Sequence, residues 1–345
     1  MELRQLGRSG LFVSTLTLGS VAFTPGSGGT VDLDNARKLL DLALDAGVNL
    51  VDTADSYGNG VAEEVVGELV RRQPDVLVSS KVAFAMGPTP NDRGLSRRHL
   101  LAAADDSLRR LQRDHIDLYH LHLWDGLTPV EETASALDLL VRSGKVRYVA
   151  VSNFSAWHVM KLLSAATALG AARPVAQQIH YTPHCRDAEF ELLPLAMDQG
   201  LGTLVWSPLA GGLLSGKYRR DRPPPADSRL AGAFREPPVP DEARLYDIVE
   251  EIAAVAQERG ATPAQVALAY TLGRPGVTSL VVGARRPDQL LDNLASADLV
   301  LGAEEAERIE RVSRPEVPYP YWHQLMWDVE RLGAAERPFL GPYSA

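Results

Sequence analysis

Four side chains in the first 125 residues, Asp52, Tyr57, Lys81 and His122, are of the types needed to hand a proton to a carbonyl oxygen. A phenol titrates at about 10, too high for an efficient acid at neutral pH. A lysine cation beside it favours the phenolate and lowers that value, while a carboxylate keeps the lysine charged and in place. A histidine close by can orient the substrate oxygen or share the proton. A well-matched general acid contributes on the order of 10²–10⁴-fold in rate. Each residue also has an ordinary reading: a strand-end aspartate caps a helix, a lysine is a surface charge, a histidine fills a core. Lysine is scarce, five of 35 basic residues, so Lys81 inside the apolar run VLVSSKVAF carries more weight than usual.

Positioning four such groups needs a repeating scaffold, and the chain has one. Short apolar or β-branched runs at residues 16–18, 50–52, 76–81, 116–121, 146–151, 175–179, 202–206 and 279–282 read as strands. Segments of helical period lie near residues 33–45, 61–71, 96–111, 129–142, 156–169, 188–199, 241–258 and 287–294. A further helix opens at Thr262-Pro263, an N-cap and first-turn pair, and runs to residue 272. Gly47, Gly144 and Gly200 stand where left-handed C-cap residues are expected. Eight strands alternating with eight helices predict a (β/α)8 barrel, with a doubly wound open sheet as the other arrangement alternation allows. The reading is one domain over residues 1–345, with a core at 15–311 and a tail at 312–345. Residues 3–14 suggest a hairpin plugging the barrel's bottom. Residues 207–240 form a long loop after the seventh strand, too long for an idle connection. The tail carries Tyr319, Tyr321, Trp322, Trp327, Phe339 and Tyr343.

In such barrels reacting groups sit at the C-terminal ends of the strands. Reading polar residues there gives Asp52, Asp55 and Tyr57 after the second strand, Lys81 at the third, and His120 and His122 at the fourth. Ser152 and Asn153 follow the fifth, Gln178 and His180 the sixth, Trp206 and Ser207 the seventh. The convergence of Asp, Tyr, Lys and His on successive strand ends weakens the ordinary reading of each.

Composition narrows the function classes. A net charge of −9 with dispersed basic residues argues against nucleic acid as a partner. The single cysteine, Cys185, forms no internal disulfide and no cysteine metal cluster. No apolar run approaches the roughly 18–20 residues of a membrane helix, and the N-terminus lacks a signal peptide's apolar stretch. A cytoplasmic location, a small-molecule partner and a possible homo-oligomer are the expectations.

The segments GVNLVDTADSYGNGVAEEVVGE (residues 47–68), IDLYHLHLWD (116–125) and GKVRYVAVSNF (144–154) resemble the aldo-keto reductases. WSPLAGGLLSGKY (206–218) and GATPAQVALAYTL…VVGARRPDQLLDNL (260–294) do so too, and the likeness runs from about residue 3 to 311. The chain is similar to the bacterial members of the branch that includes potassium-channel β-subunits. The resemblance implies a catalytic tetrad of Asp52, Tyr57, Lys81 and His122, the same four that strand-end placement selects. It further implies that Ser152, Asn153 and Gln178 hold a nicotinamide carboxamide and that Trp206 stacks on the ring. Ser207, Leu209, Gly211 and Lys217 fall on the loop over the pyrophosphate. Gly283, Arg285, Arg286, Gln289 and Asn293 fall at the adenine and ribose-phosphate end. Phe23, Phe84 and Trp124 are expected to line the substrate pocket, and no metal is needed.

Arg285 and Arg286 directly precede Pro287, a first-turn residue. Cations at a helix N-terminus are disfavoured by about 0.3–1 kcal/mol, a conflict that a bound anion relieves. NADP(H) is therefore expected over NAD(H). The implied activity is reduction of an aldehyde or ketone, possibly a keto-sugar. Three other readings compete. GGLLSGK at residues 211–217 imitates a phosphate loop, but Tyr218 stands where the Mg²⁺-binding hydroxyl belongs. His120 and His122 share one strand face and could begin a metal-dependent hydrolase site, with His180 or Asp125 as further ligands. A non-catalytic, nicotinamide-binding partner subunit is the third.

Overall fold

The structure is a computed structural model that describes residues 1–24, 32–220 and 236–343. Its sheet follows from the apolar runs: β3 (Leu16–Gly19), β4 (Leu50–Asp52), β5 (Leu77–Val82), β6 (Ile116–Leu121), β7 (Val146–Ser152), β8 (Ala176–His180), β9 (Gly202–Trp206) and β10 (Ser279–Val282). These eight strands pair in parallel, in chain order, and β10 closes onto β3, which makes the (β/α)8 barrel and rules out the open sheet. Strand side chains alternate between the barrel interior and the helical layer. Leu50, Leu118, Ala150, Ala176 and Leu204 fill a lower interior layer. Two residues further along four of these strands come Asp52, His120, Ser152 and Gln178, so the interior changes from apolar to polar toward the C-terminal mouth.

The hairpin β1 (Leu3–Gln5) and β2 (Phe12–Ser14) sends Leu6 and Val13 into the lower layer, as a bottom plug should. Gly7 takes φ +59° against the backbone of Gly200 and Gly202, where a Cβ has no room.

The outward strand residues Val51, Val78, Tyr119, Val149 and Val205 pack under the helices. These are α1 (Leu33–Asp45), α2 (Val61–Val70), α3 (Arg97–Leu111), α4 (Val130–Arg142), α5 (Ala156–Leu169), α6 (Leu192–Gln199), α7 (Glu242–Arg259), α8 (Pro263–Leu272) and α9 (Pro287–Ala295). Thr262 and Gln265 close a capping box at α8, with Pro263 in its first turn. Gly47, Gly144 and Gly200 all adopt positive φ at helix ends. The segment expected as one helix over 188–199 is broken: a short 3-10 turn covers Asp187–Glu189, and α6 begins only at Leu192. The reason lies in Arg186 and Glu189, which are drawn into a buried cluster rather than left on a helix surface. Arg186 donates to Glu189, Glu310 and Ser313, and Arg274 pairs with both glutamates. That cluster fastens the segment after β8 to α10 (Ala303–Ser313).

The aromatic tail forms α11 (Tyr321–Trp327) and α12 (Arg337–Leu340). Phe339 enters the main core and Tyr321 stacks on Phe190 at 5.6 Å, whereas Trp322 and Trp327 stay exposed. Residues 221–235 of the long loop lie outside the described residues; its start folds as a 3-10 turn, Ala210–Ser215. Among the described residues no helix is long and apolar enough to cross a membrane.

Candidate active site

β4 ends on Asp52, and the chain keeps pairing with β5 past the strand end: Thr53 N donates to Ser79 O and Asp55 N to Lys81 O. This carries Tyr57 over the barrel mouth, above a fully buried Lys81. The lysine ammonium has three donors, and all are used. Lys81 Nζ reaches Asp52 Oδ2 at 2.6 Å, Thr53 O at 2.8 Å and the Tyr57 hydroxyl at 3.4 Å. Asp52 Oδ1 in turn accepts from Ser79 Oγ at 2.7 Å and Gln178 Nε2 at 2.9 Å. His122 completes the group, its ring edge-on to Tyr57 at 5.9 Å between centroids.

Burial and pairing compete in the titration of this cluster. Burial works against charge on Lys81, but Asp52 and Tyr57 more than offset it, and its pKa stands above the ordinary lysine value. Burial also pushes Asp52 upward, yet Lys81, His120 and the hydrogen bond from Ser79 hold it below the usual carboxylate range. For Tyr57 the two effects resolve the other way. Lys81 does lower the phenol's pKa, but burial outweighs it, and the net shift is upward. The expectation of an acidified phenol is thereby corrected: Tyr57 is held in its protonated, donating form. Burial, followed by the Lys81 charge, drives His122 down to about 3 and His120 to about 4. Both imidazoles are neutral at pH 7.

Several polar atoms at the mouth are buried without a hydrogen-bond partner among the described residues: Nδ1 of His122, both ring nitrogens of His120 and Oγ of Ser152. Asn153 adopts φ +56°, donates from Nδ2 to His122 O and accepts at Oδ1 from Trp206 Nε1, both at 3.0 Å. Gln178, expected at the carboxamide, donates from Nε2 to Asp52 Oδ1. Ser207 Oγ accepts from Gly211 N at 3.0 Å, and Gly211 and Gly212 take φ +66° and +99°. Leu209 precedes this turn, and the Lys217 ammonium lies against Gly212 on it. Gly283 ends the strip beyond β10, where Arg285 N donates to Gln289 Oε1 at 3.1 Å and Asn293 is buried. Arg286 caps α9 and pairs with Asp288 at 2.9 Å, so a carboxylate of the chain already meets part of the charge conflict at that helix start. The orphaned Ser152 hydroxyl, the part-exposed Trp206 ring and the glycine turn fit an extended dinucleotide laid from β7 round to β10.

Phe84 stands exposed over His122 at 4.7 Å. Trp124 is packed edge-on to Phe154 at 5.3 Å and stacked on His158 at 4.1 Å. Phe23 is 2% exposed, packed into the main core rather than standing free at the mouth. Asp125 is spent on loop structure, accepting from Leu95 N, Leu127 N and Thr128 Oγ. His180 meets Trp206 O, and among the described residues no group of three or more His, Cys, Asp or Glu is placed to hold a metal ion. Two features escape a reading of the sequence: the Gln178–Asp52 bond, and the burial of Asp55, itself read at the strand end, behind the tetrad. The first joins residues 126 positions apart.

The family model for the aldo/keto reductase family matches residues 15–314. The chain belongs to that family. A probable voltage-gated potassium channel subunit beta from Arabidopsis thaliana is 36% identical over 334 residues, covering 93% of this chain and all of the relative. A rice protein of the same description is 38% identical over 325 residues, 90% of this chain and 96% of its own. The uncharacterized oxidoreductase YrpG of Bacillus subtilis is 38% identical over 320 residues, 88% of this chain and 93% of its own. Membership of the aldo/keto reductases, together with the likeness to YrpG, supports an oxidoreductase.

Proposed function

We propose that this aldo/keto reductase converts an aldehyde or ketone to an alcohol with NADPH, Tyr57 supplying the proton. The observation that carries the reading is the Asp52–Lys81–Tyr57 chain, a buried cation held within 3.4 Å of a phenol that stays protonated. Reduced nicotinamide, when bound, supplies the hydride. Ser152, Asn153 and Gln178 would hold its carboxamide and Trp206 would back the ring; Gln178 must then share itself with Asp52. Ser207, Leu209, Gly211 and Lys217 suit the pyrophosphate, and Gly283, Arg285, Arg286, Gln289 and Asn293 the far end. The paired arginines favour NADP over NAD.

Neutral His122 and the Tyr57 hydroxyl orient the carbonyl oxygen, and the proton leaves Tyr57 as negative charge develops there. Lys81, fixed by Asp52, stabilises the resulting phenolate. Phe84 and Trp124 offer apolar walls that admit many carbonyl compounds, a keto-sugar among them. The competing reading, a cofactor-binding partner subunit, has support from the names of the plant relatives. NADPH oxidation across a panel of aldehydes and ketones decides between them. Turnover with at least one carbonyl supports the reductase, and none with any supports the partner role.

A further inference from the structure

Behind the barrel wall that carries Lys81, between β5, β6 and helices α2 and α3, lies a second group of buried ionisable residues. Glu63 of α2 accepts from Ser80 Oγ at 2.5 Å and from Arg110 Nε at 2.6 Å. Asp55 and Tyr119 are fully buried with it. Neither carboxyl oxygen of Asp55, nor the Tyr119 hydroxyl, has a side-chain hydrogen-bond partner among the described residues; the Ser56 backbone amide favours the Asp55 carboxylate, but less than burial and Glu63 oppose it. The charged and titratable groups facing Asp55 are Glu63 from α2, Arg110 from α3, Lys81 from β5 and Tyr119 from β6. The charges do not balance if every acid is ionised. Arg110 is committed to Glu63, and Lys81 is committed to Asp52, Thr53 O and Tyr57. A buried carboxylate with no cation of its own, and only a backbone amide to favour its charge, takes up a proton instead.

We propose that Asp55 is a positioning residue kept as a neutral carboxylic acid, whose neutrality leaves the turn at residues 53–59, and so the placement of Tyr57, undisturbed, and whose ionisation sets an upper pH limit on the reaction. Burial first, and the Glu63 carboxylate second, push its pKa up to about 8. Asp55 is two residues before Tyr57, and its own amide closes the turn onto Lys81 O at 3.2 Å. Once ionised, the carboxylate gains by reaching for water, and that movement pulls on the turn. The protonation stands on the cluster alone; only the effect on turnover rests on Tyr57 as proton donor. The linkage has a definite sign. An unfolded aspartate titrates at about 4 and the folded one higher, so the Asp55 contribution to stability is greatest below about pH 4, declines as pH rises toward 8, and is lost above it.

The direct test is infrared difference spectroscopy of wild type against Asp55→Asn. A protonated-carboxyl band is expected at pH 7 in wild type, absent from the variant, and bleaching as pH passes about 8. Absence of that band at pH 7 overturns the proposal. Glu63→Gln, which removes the neighbouring charge and frees Arg110, should move the bleaching to lower pH; an unmoved transition also counts against it. In the pH profile of kcat, Asp55→Asn should move the alkaline limb up by about one unit or more, a tenfold change in proton affinity. Identical profiles for variant and wild type overturn the positioning role. Tyr57→Phe should keep the infrared band, so failure of the reductase reading leaves this result separately visible.

Discussion

Two buried ionic clusters in this barrel are built from similar parts and finished differently. Around Arg186 every polar atom is matched: Glu189 and Glu310 accept from two arginines, from Tyr181 and Tyr270, and Ser313 accepts from Arg186. At the barrel mouth the Lys81–Asp52 pair is as close, yet orphaned atoms surround it on His120, His122 and Ser152. A fully satisfied network has nothing left to offer a ligand and acts as a staple. An unsatisfied one keeps its polar capacity in reserve, at a cost in stability, for a group that arrives later. Position agrees with this division: the staple joins the segment after β8 to α10, and the reserve faces the mouth.

Matched truncations should separate the two. Lys81→Met is expected to lower carbonyl turnover on the order of 10²–10⁴-fold, the scale of a lost general acid, in steady-state assays normalised to folded protein. Arg186→Met should leave turnover per folded molecule nearly unchanged but cost about 3–5 kcal/mol in urea unfolding, because it leaves two buried glutamates with Arg274 as the one cation they still share. If Arg186→Met instead abolished turnover in folded protein, the division into staple and site would be wrong. The smallest effect concerns pH. His120 is held near pKa 4, below the unfolded value of about 6.5, so the unfolded chain takes up the proton first. The His120 contribution to stability should therefore fall as pH drops from 6.5 toward 4, so His120→Gln should lose less stability than wild type over that window. The cost of Arg186→Met should instead shrink as pH drops, because burial raises Glu310 once the Arg186 charge that holds it low is gone.

The staple was illegible in the sequence for the same reason that the tetrad was legible. Asp52, Lys81 and His122 lie at strand ends, where barrel geometry brings successive strands together, and β4, β5 and β6 are neighbours in both chain and space. Arg186 and Glu310 are 124 positions apart on non-neighbouring elements, and both look like surface charges to a periodicity argument. Withdrawal of Glu189 into that cluster also broke the helix expected over 188–199. His120 was visible as the partner of His122 on one strand face, but its burial without a partner was not. The direction of the Tyr57 shift likewise depended on depth, since proximity to Lys81 alone argues for a lowered pKa and burial reverses it.

The central claim is that Tyr57 donates the proton that accompanies hydride transfer. Single-turnover oxidation of bound NADPH by a reactive aldehyde, comparing wild type with Tyr57→Phe at cofactor saturation, tests it most directly. The Tyr57 hydroxyl accepts a hydrogen bond from Lys81, at 3.4 Å, and no proposed cofactor contact uses it, so the variant should bind NADPH with nearly wild-type affinity. Its hydride-transfer rate should fall on the order of 10²–10⁴-fold. An unchanged rate in a variant that binds cofactor normally would contradict the assignment.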